Sequence, residues 1–538
     1  MIYSVLVNKN LSPDQNASAG NVSLSSGVAR FSAGTLISRI LGLVREQVFA
    51  IFFGAGAYTD AFFAAFRIPN LLRDLFAEGV FSAAFIPTFS KEKSDKGIVQ
   101  ALQLANLAFN SLAVVTSVVS LMGVIFTPLI VWVMAPGFSE TAGQTELTII
   151  MARIMFPLLI LVSLASVATG VLNTFGRFGV PALAPTAFNV SMILCGIFLR
   201  KFFDPPIISM ALGVLLGGVG QLAFQVPALL RIGFKFKPEL NFKDERIRKV
   251  FRLMVPASVG TAAIQINLFV ATLLASLLPQ GSLSYLNYGY RLMQLPLGLF
   301  AVGVASVSLP KLSMQFSSGD MVGLKEEYLS SLRFTLFLMI PAIFFILSAA
   351  YPIVGAIYQH GKFHFEDTTA TVNVLRIYAL GLFAFGTVRV TSQVFFAMHD
   401  TRSPTKVGIL AVIVNIILNL ILMRRFGFLG LAAATTISGI INMSALVHVL
   451  RIKLRGIRIV KLADFLMKTL SVNILLAGIT LYVCNVMHLN SSTASGFTRG
   501  TMLLALLGGY IISYLGMCRL LKVDEIQTVL QVFRRRIK

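Results

Sequence analysis

The chain has 538 residues, of which 56% are hydrophobic and 12% charged, and its mean hydropathy is +0.82. That balance excludes a soluble globular domain and a disordered chain alike. The formal net charge of +23 first suggests a nucleic-acid partner, but the placement of the basic residues argues against one.

Apolar runs of about 20 residues, the length that crosses a bilayer, recur along the whole chain. They number about fourteen, near 31–53, 58–88, 101–131, 147–174, 181–200, 207–230, 249–278, 284–310, 329–358, 370–398, 404–423, 428–450, 462–487 and 500–521. The fold class this predicts is an all-α polytopic membrane protein. The first 30 residues are rich in Ser and Asn and lack an apolar stretch, so they read as a flexible cytoplasmic tail rather than a signal peptide. With the N-terminus inside, inward loops and tails receive about 28 Lys and Arg and outward loops about 6, as the positive-inside rule requires. Arg231–Lys249, Arg451–Lys461 and Arg534–Lys538 are the densest inward clusters. The charge therefore belongs to the cytoplasmic face of a bilayer, where it favours anionic headgroups. An even number of spans places both termini in the cytoplasm. Cys195, Cys484 and Cys518 sit singly in apolar runs, with neither disulfide nor zinc spacing. His360 and His364 read as ordinary residues of an outward loop.

Eight charges interrupt the first two apolar segments: Arg39, Arg45, Glu46, Asp60, Arg67, Arg73, Asp74 and Glu78. A central Arg, Lys or Asp costs roughly 2.5–3.5 kcal/mol in a bilayer. Eight facing lipid would cost on the order of 20 kcal/mol, against a typical folding stability of ~5–15 kcal/mol. They must line a polar cavity or pair with one another. Residues seven apart share a helix face, so Ser38 with Arg45 and Arg39 with Glu46 form adjacent stripes, with Gly42 between them. Asp60, Arg67, Asn70, Asp74 and Glu78 fall on one stripe of the next segment, which Pro69 should bend. The result is a basic column open to the inside. Guanidinium forks bind phosphate bidentately and keep their charge when partly desolvated, so the column suits a phosphate-bearing ligand. The plainer alternative makes Arg39–Glu46 and Arg67–Asp74 structural pairs that fasten helices.

The stretch starting at Ala57 has a counterpart 224 residues later, from Gly281, in which Arg67 falls on Arg291, Leu75-Phe76-Ala77 on Leu299-Phe300-Ala301 and Gly79-Val80 on Gly303-Val304. Pro181 and Pro404 extend the register. Six spans separate the copies, which implies a parallel repeat with a site between its halves. Asp60, Arg73, Asp74 and Glu78 become Ser284, Leu297, Gly298 and Val302, so the first half specialises in charge. The expected organisation is a tail over 1–30, a six-helix lobe over 31–231 and a basic connector over 232–248. A second six-helix lobe over 249–450, two final helices within 451–522 and a basic tail over 523–538 follow. Asn415, Asn419 and Thr435 in the second half could coordinate a small cation through oxygen, although interhelical hydrogen bonding is the stronger reading. The chain contains no phosphate-binding loop, metal cluster or nucleophile elbow, which points to a transporter rather than an enzyme.

The segments SRILGLVRE and GAGAYTDAFFAAFRIPNLLRDLFAEGVFSAAFIP, the loop Ala135–Phe138, YGYRLMQLPLG around Arg291 and YQHGKF at Tyr358–Phe363 together resemble the MurJ (MviN) family of lipid II flippases, in the MOP exporter superfamily. The resemblance runs from about Arg30 through nearly the whole chain. It implies 14 transmembrane helices, two six-helix lobes, a C-terminal pair forming a groove for the lipid tail, and alternating access in the bacterial inner membrane. The implied substrate is an undecaprenyl-diphosphate-linked disaccharide-pentapeptide, with cell-wall synthesis machinery as a candidate partner. The implied site residues are Ser38, Arg39, Arg45, Asp60, Arg73, Glu78 and Arg291, to which the spacing above adds Arg67, Glu46 and Asp74. No cofactor is implied beyond coupling to membrane potential or a monovalent cation. Tyr290 stands where the family often has an acid, and Asn419 where members with a sodium site have a carboxylate, so that site is not carried over. Alternatives are an exporter of another lipid-linked oligosaccharide, a multidrug exporter of the same superfamily, and a membrane enzyme acting on isoprenyl diphosphates.

Overall fold

In a bilayer no water satisfies backbone N–H and C=O groups, so apolar segments must close their hydrogen bonds within a helix. The computed structural model describes residue 34 and residues 37–74, 76, 80–456, 460–491 and 496–527. The expected tail over 1–30, Glu78 and the Arg534–Lys538 end lie outside the described residues. Among these, the regular elements are all helical.

The first half comprises α1 (37–53), α2 (Ala57–Arg73), α3 (Val80–Lys96), α4 (Ile98–Met134), α5 (Gln144–Met155), α6 (Leu158–Thr174), α7 (Gly179–Phe198), α8 (Ile208–Ala223) and α9 (Val226–Arg231). After the connector come α10 (Glu245–Ser276), α11 (Ser282–Pro296), α12 (Val302–Ser317), α13 (Met321–Ile357), α14 (Phe365–Ala379), α15 (Leu382–Ala397) and α16 (Arg402–Lys453). The last pair is α17 (Val460–Val486) and α18 (Gly496–Leu520). Each expected apolar run coincides with a helix or a bent pair. Nine stretches among the described residues are long and apolar enough to cross a membrane, and α14 with α15, bent by 42°, make another. One of the nine, α16, is two limbs broken at Gly427, whose φ of 55° leaves the helical region. The rest of the fourteen are α1, the α2–α3 pair and α10. The helices α1, α2 and α3 have 17 described residues each, and α10 packs five charges into its first two turns. The lipid-facing surface is plain on α4, where Val118, Leu121, Ile125, Leu129 and Trp132 form one exposed apolar face.

The repeat is visible in the helices themselves. Starts at Ala57 and Ser282, Val80 and Val302, Ile98 and Met321, Gln144 and Phe365, Leu158 and Leu382, and Gly179 and Arg402 are each 221–225 residues apart. Pro87 and Pro310, and Pro128 and Pro352, sit inside matching helices at the same offset. The left-handed turn residues Gly233 and Gly456 also match, with φ of 86° and 98°. Such a turn favours glycine, which has no Cβ to clash.

The chain divides into two compact units, Met1–Leu277 and Leu278–Lys538. Helix α10, which opens the second repeat, lies in the first unit and packs on α3 and α4. In the second unit, α17 and α18 pack on α13. The Tyr514 hydroxyl donates to the Phe337 carbonyl at 2.8 Å, and the Tyr510 hydroxyl donates to Asn473 Oδ1 at 2.8 Å. Arg333 of α13 pairs with Glu525 (2.6 Å) and Asp524 (3.3 Å) just beyond α18. At the other end of α18, the buried Arg499 donates to Gln359 Oε1 (2.6 Å) and to the Ser491 carbonyl. The final pair is thus bonded to α13 at both ends and in the middle.

The connector is strapped rather than slack. The Asn106 amide of α4 donates to the Lys235 carbonyl (2.7 Å) and accepts from the Lys237 N–H (3.1 Å), while Asn110 donates to the Lys237 and Glu239 carbonyls (2.6 and 3.1 Å). These bonds satisfy loop backbone that a helix ladder cannot. The Asp244 side chain caps α10 by accepting from the Arg246 N–H at 2.8 Å. The Arg246 guanidinium then bridges Asp244 (2.7 Å) and Glu92 of α3 (2.9 Å), with Lys96 at 3.3 Å from Glu92. Burial alone raises the Glu92 carboxyl, but bonds from Arg246 and Lys96 outweigh it and bring Glu92 below its ordinary value; the Arg246 side chain does the same to Asp244. Lowered carboxyls contribute stability that is full above the ordinary values, 4.5 for Glu and 3.8 for Asp, and that fades as pH falls through them. Replacing Arg246 by Met should lower the thermal midpoint in detergent by about 2–4 °C at neutral pH. It should also shrink the stability loss between about pH 6 and pH 3, both read by thermal unfolding.

Candidate functional site

Four charged residues of the first two helices, Arg45, Glu46, Arg73 and Asp74, form two clusters inside the first unit. On α1, one turn beyond Gly42, the Arg45 guanidinium is mostly buried and donates through Nη2 to Glu46 Oε1 at 2.5 Å. Its Nη1 donates to Asn189 Oδ1 of α7 at 3.1 Å and lies 3.9 Å from Met192 Sδ. The amide nitrogen of Asn189 donates to the Ser38 carbonyl at 3.0 Å. Asn189 therefore ties the first turns of α1 to its arginine and fixes the plane of the fork. Gly42 faces this amide, and a Cβ there would make ordinary van der Waals contact with it at 3.8 Å.

The second cluster closes α2. Asp74 Oδ1 accepts from Arg73 Nη2 at 3.4 Å, and its Oδ2 accepts from Gln265 Nε2 of α10 at 2.8 Å. Asp74 and Phe76 lie in a widened, π-type turn after Arg73, a geometry that proteins often place at functional positions. At the opposite end of α2, Asp60 is buried. Beside it the Thr59 hydroxyl donates to the Gly54 carbonyl at 3.1 Å, and Gln144 of α5 donates to the Ala57 carbonyl at 3.0 Å.

Of the remaining expected residues, Ser38 and Arg67 are half-buried and Arg39 is exposed. Arg291 is exposed on α11, in the second unit, next to Tyr290, whose ring meets Tyr378 edge-on at 5.9 Å. The ion pairs seen at Glu46 and Asp74 are with their sequence neighbours, Arg45 and Arg73, whereas the spacing suggested Arg39 and Arg67. A long arginine can fold back along its own helix to the adjacent residue, and seven-residue spacing ignores that reach.

The residues Asn415, Asn419 and Thr435 do come together, as a ladder between the two limbs of α16. Asn419 donates to Asn415 Oδ1 (2.9 Å), Asn415 donates to Ser438 Oγ (3.1 Å), and Ser438 Oγ donates to the Thr435 carbonyl (3.0 Å). The Thr435 hydroxyl itself donates to the Leu431 carbonyl at 3.0 Å. Every partner in the ladder is neutral, and one bond, from Asn415 to Ser438, fastens one limb to the other. Among the described residues, no group of three or more His, Cys, Asp or Glu could hold a metal ion.

Two members of the site were not singled out from sequence, Asn189 and Gln265. Each is a polar side chain inside an apolar run, which is itself the signal: such residues face a partner rather than lipid. Chemically, the first unit offers arginines whose forks are oriented by an acid and an amide, in an apolar helical setting. That arrangement suits recognition of an anion.

Comparison with known proteins gives the same direction. The family model described as "Lipid II flippase MurJ" matches residues 49–500. A relative from Vibrio cholerae serotype O1, named "Probable lipid II flippase MurJ", is 37% identical over 430 residues, covering 79% of this chain and 82% of the relative. The "Lipid II flippase MurJ" of Burkholderia cenocepacia is 33% identical over 434 residues, covering 79% and 83%. The structure described as "Lipid II flippase MurJ, inward closed conformation" superposes with a TM-score of 0.76 at 27% identity, over 92% of this chain and 99% of that one. An inward-facing multidrug resistance MATE family transporter of the MOP superfamily shares the fold, with a TM-score of 0.65 at 14% identity over 80% and 98%. The chain is a multi-pass membrane protein and belongs to the lipid II flippase MurJ family, whose members are transporters rather than enzymes.

Proposed function

We propose that this protein is a lipid II flippase of the bacterial inner membrane. It moves an undecaprenyl-diphosphate-linked peptidoglycan precursor from the inner to the outer leaflet by alternating access. The observation that carries the reading is the Arg45 guanidinium, buried in an apolar helix yet oriented by Glu46 and Asn189, in a chain of this family. A buried arginine with a fixed fork is costly to keep, and two parallel N–H donors fit a phosphate. Arg39, Arg45 and Arg73 hold the diphosphate in this account, Ser38 and Arg67 line its path, and Arg291 is a further substrate-binding arginine. The acids Glu46, Asp60, Asp74 and Glu78 restrain the arginines when no anion is bound.

An inside-negative potential favours outward movement of anions by about 2.3 kcal/mol per charge per 100 mV. Two phosphate charges therefore gain roughly twice that, and the potential is the proposed driving force. Both termini lie in the cytoplasm, the tail of the lipid rests against α17 and α18, and cell-wall synthesis enzymes consume the product outside.

Complementation of a strain depleted of its lipid II flippase tests the reading. Arg45→Ala or Arg39→Ala should abolish growth at normal membrane levels, and lysine should rescue in part because it lacks the fork. Full growth with both arginines replaced by alanine contradicts the diphosphate grip. Asn189→Leu removes the acceptor of Arg45 and the donor to Ser38 together, and should slow transport about tenfold. Asn189→Asp, which keeps an acceptor for Arg45, should retain more activity. For orientation, single cysteines in a Cys-free protein can be labelled with an impermeant thiol reagent. Intact cells should label Gln280→Cys and spare Asn241→Cys, and the opposite pattern refutes the topology.

A further inference from the structure

Helix α10 is held to the rest of the first unit at three levels. At its start Arg246 bridges to Glu92 of α3. At its end the Ser276 carbonyl lies against Gly137, where a Cβ would come within 2.1 Å of that oxygen. In the middle, Gln265 Nε2 donates to Asp74 Oδ2 at 2.8 Å. Of these three contacts, the middle one reaches the charged residues of α2. Asp74 is thereby divided between two partners, a short bond from α10 and a long one, 3.4 Å, from Arg73. The Gln265 carbonyl oxygen is buried and has no hydrogen-bond partner, so Gln265 is fastened to its surroundings through the donor to Asp74.

We infer that Gln265 is a positioning residue through which a diphosphate bound at Arg73 releases the middle of α10. The inference rests on the lipid-diphosphate reading above. A phosphate oxygen bonds a guanidinium at about 2.7–2.9 Å, often bidentately, and outcompetes a carboxylate held at 3.4 Å. The bound anion then sets negative charge beside Asp74. Like charges at that range repel, and Asp74, whose side chain is 32% exposed, has open space into which it can swing. Swinging away breaks its bond to Gln265 and leaves α10 held at its two ends. The helix that runs from the connector to the boundary between the units then senses whether the arginine carries its ligand.

Thermodynamic reciprocity fixes the sign of the test. If binding breaks the Asp74–Gln265 contact, that contact opposes binding, and its removal must tighten affinity by the same factor. The protein in nanodiscs is titrated with undecaprenyl diphosphate, and backbone hydrogen exchange over residues 258–270 is followed with and without it. In the wild type the lipid should speed exchange across this stretch. Gln265→Leu should show the fast exchange without lipid, no further change with it, and an affinity about tenfold tighter. A residue that merely braces the fold would give unchanged or weaker binding. Should the variant prove too unstable to purify, the wild-type exchange measurement decides alone, since lipid binding without faster exchange overturns the latch. Lipid binding to neither the wild type nor Gln265→Leu overturns the diphosphate reading itself, and the latch falls with it.

Discussion

A guanidinium placed in an apolar helix must be given a counter-charge and an acceptor or be expelled to water, and this requirement shapes the first unit. Arg45 receives both, Glu46 from its own helix and Asn189 from α7. That need explains why Asn189 interrupts an otherwise apolar run and bonds α1 twice, at Arg45 and at the Ser38 carbonyl. At the end of α2, Arg73 meets the adjacent Asp74, which is in turn held by Gln265 of α10. Each arginine is thus restrained without being neutralised by a covalently rigid partner. A carboxylate and an amide can yield to a stronger anion, whereas a closed network of buried acids would not.

The apolar runs that made the helices were legible in the sequence because the bilayer dictates both their length and their hydrogen bonding. Their broken geometry was less so. The pair α14–α15 reads as a single run, since hydropathy averages over its 42° bend. The repeat was legible from Arg67 and Arg291 and from two prolines, and the helix starts extend it across most of both halves. Among site residues, the charges announced themselves by their cost. Their partners did not, because Asn189 lies 144 residues from Arg45 and Gln265 lies 191 from Asp74. No local spacing rule reaches that far. Glu46 and Asp74 add contacts that seven-residue periodicity does not reveal, each to the arginine just before it. Of Asn415, Asn419 and Thr435, Asn415 makes the bond that crosses between limbs, to Ser438, while the side chains of Asn419 and Thr435 bond within their own limbs.

Helix α10 gives the first unit its second organising feature. Its start is fixed by an ion-pair cluster and a connector strapped to α4, while its middle touches Asp74 at the end of α2. The second unit is fastened at its last two helices. These are bonded to α13 and the turn after it by Arg333, Tyr514 and Arg499. Polar chemistry is concentrated in the first half and firm apolar packing in the second, as expected where duplicated halves have divided two tasks between them.

The central claim is that this protein moves a lipid-linked diphosphate across a bilayer by means of its arginines. Its most direct measurement uses purified protein in liposomes containing fluorescent lipid II, with an impermeant quencher reporting the leaflet and a potassium gradient setting the potential. The account predicts protein-dependent translocation that is faster when the potential draws anions from the cytoplasmic face outward, and that disappears when Arg39 and Arg45 are both alanine. Translocation indifferent to those two arginines, or lipid that stays in its original leaflet with the wild-type protein present, would contradict it.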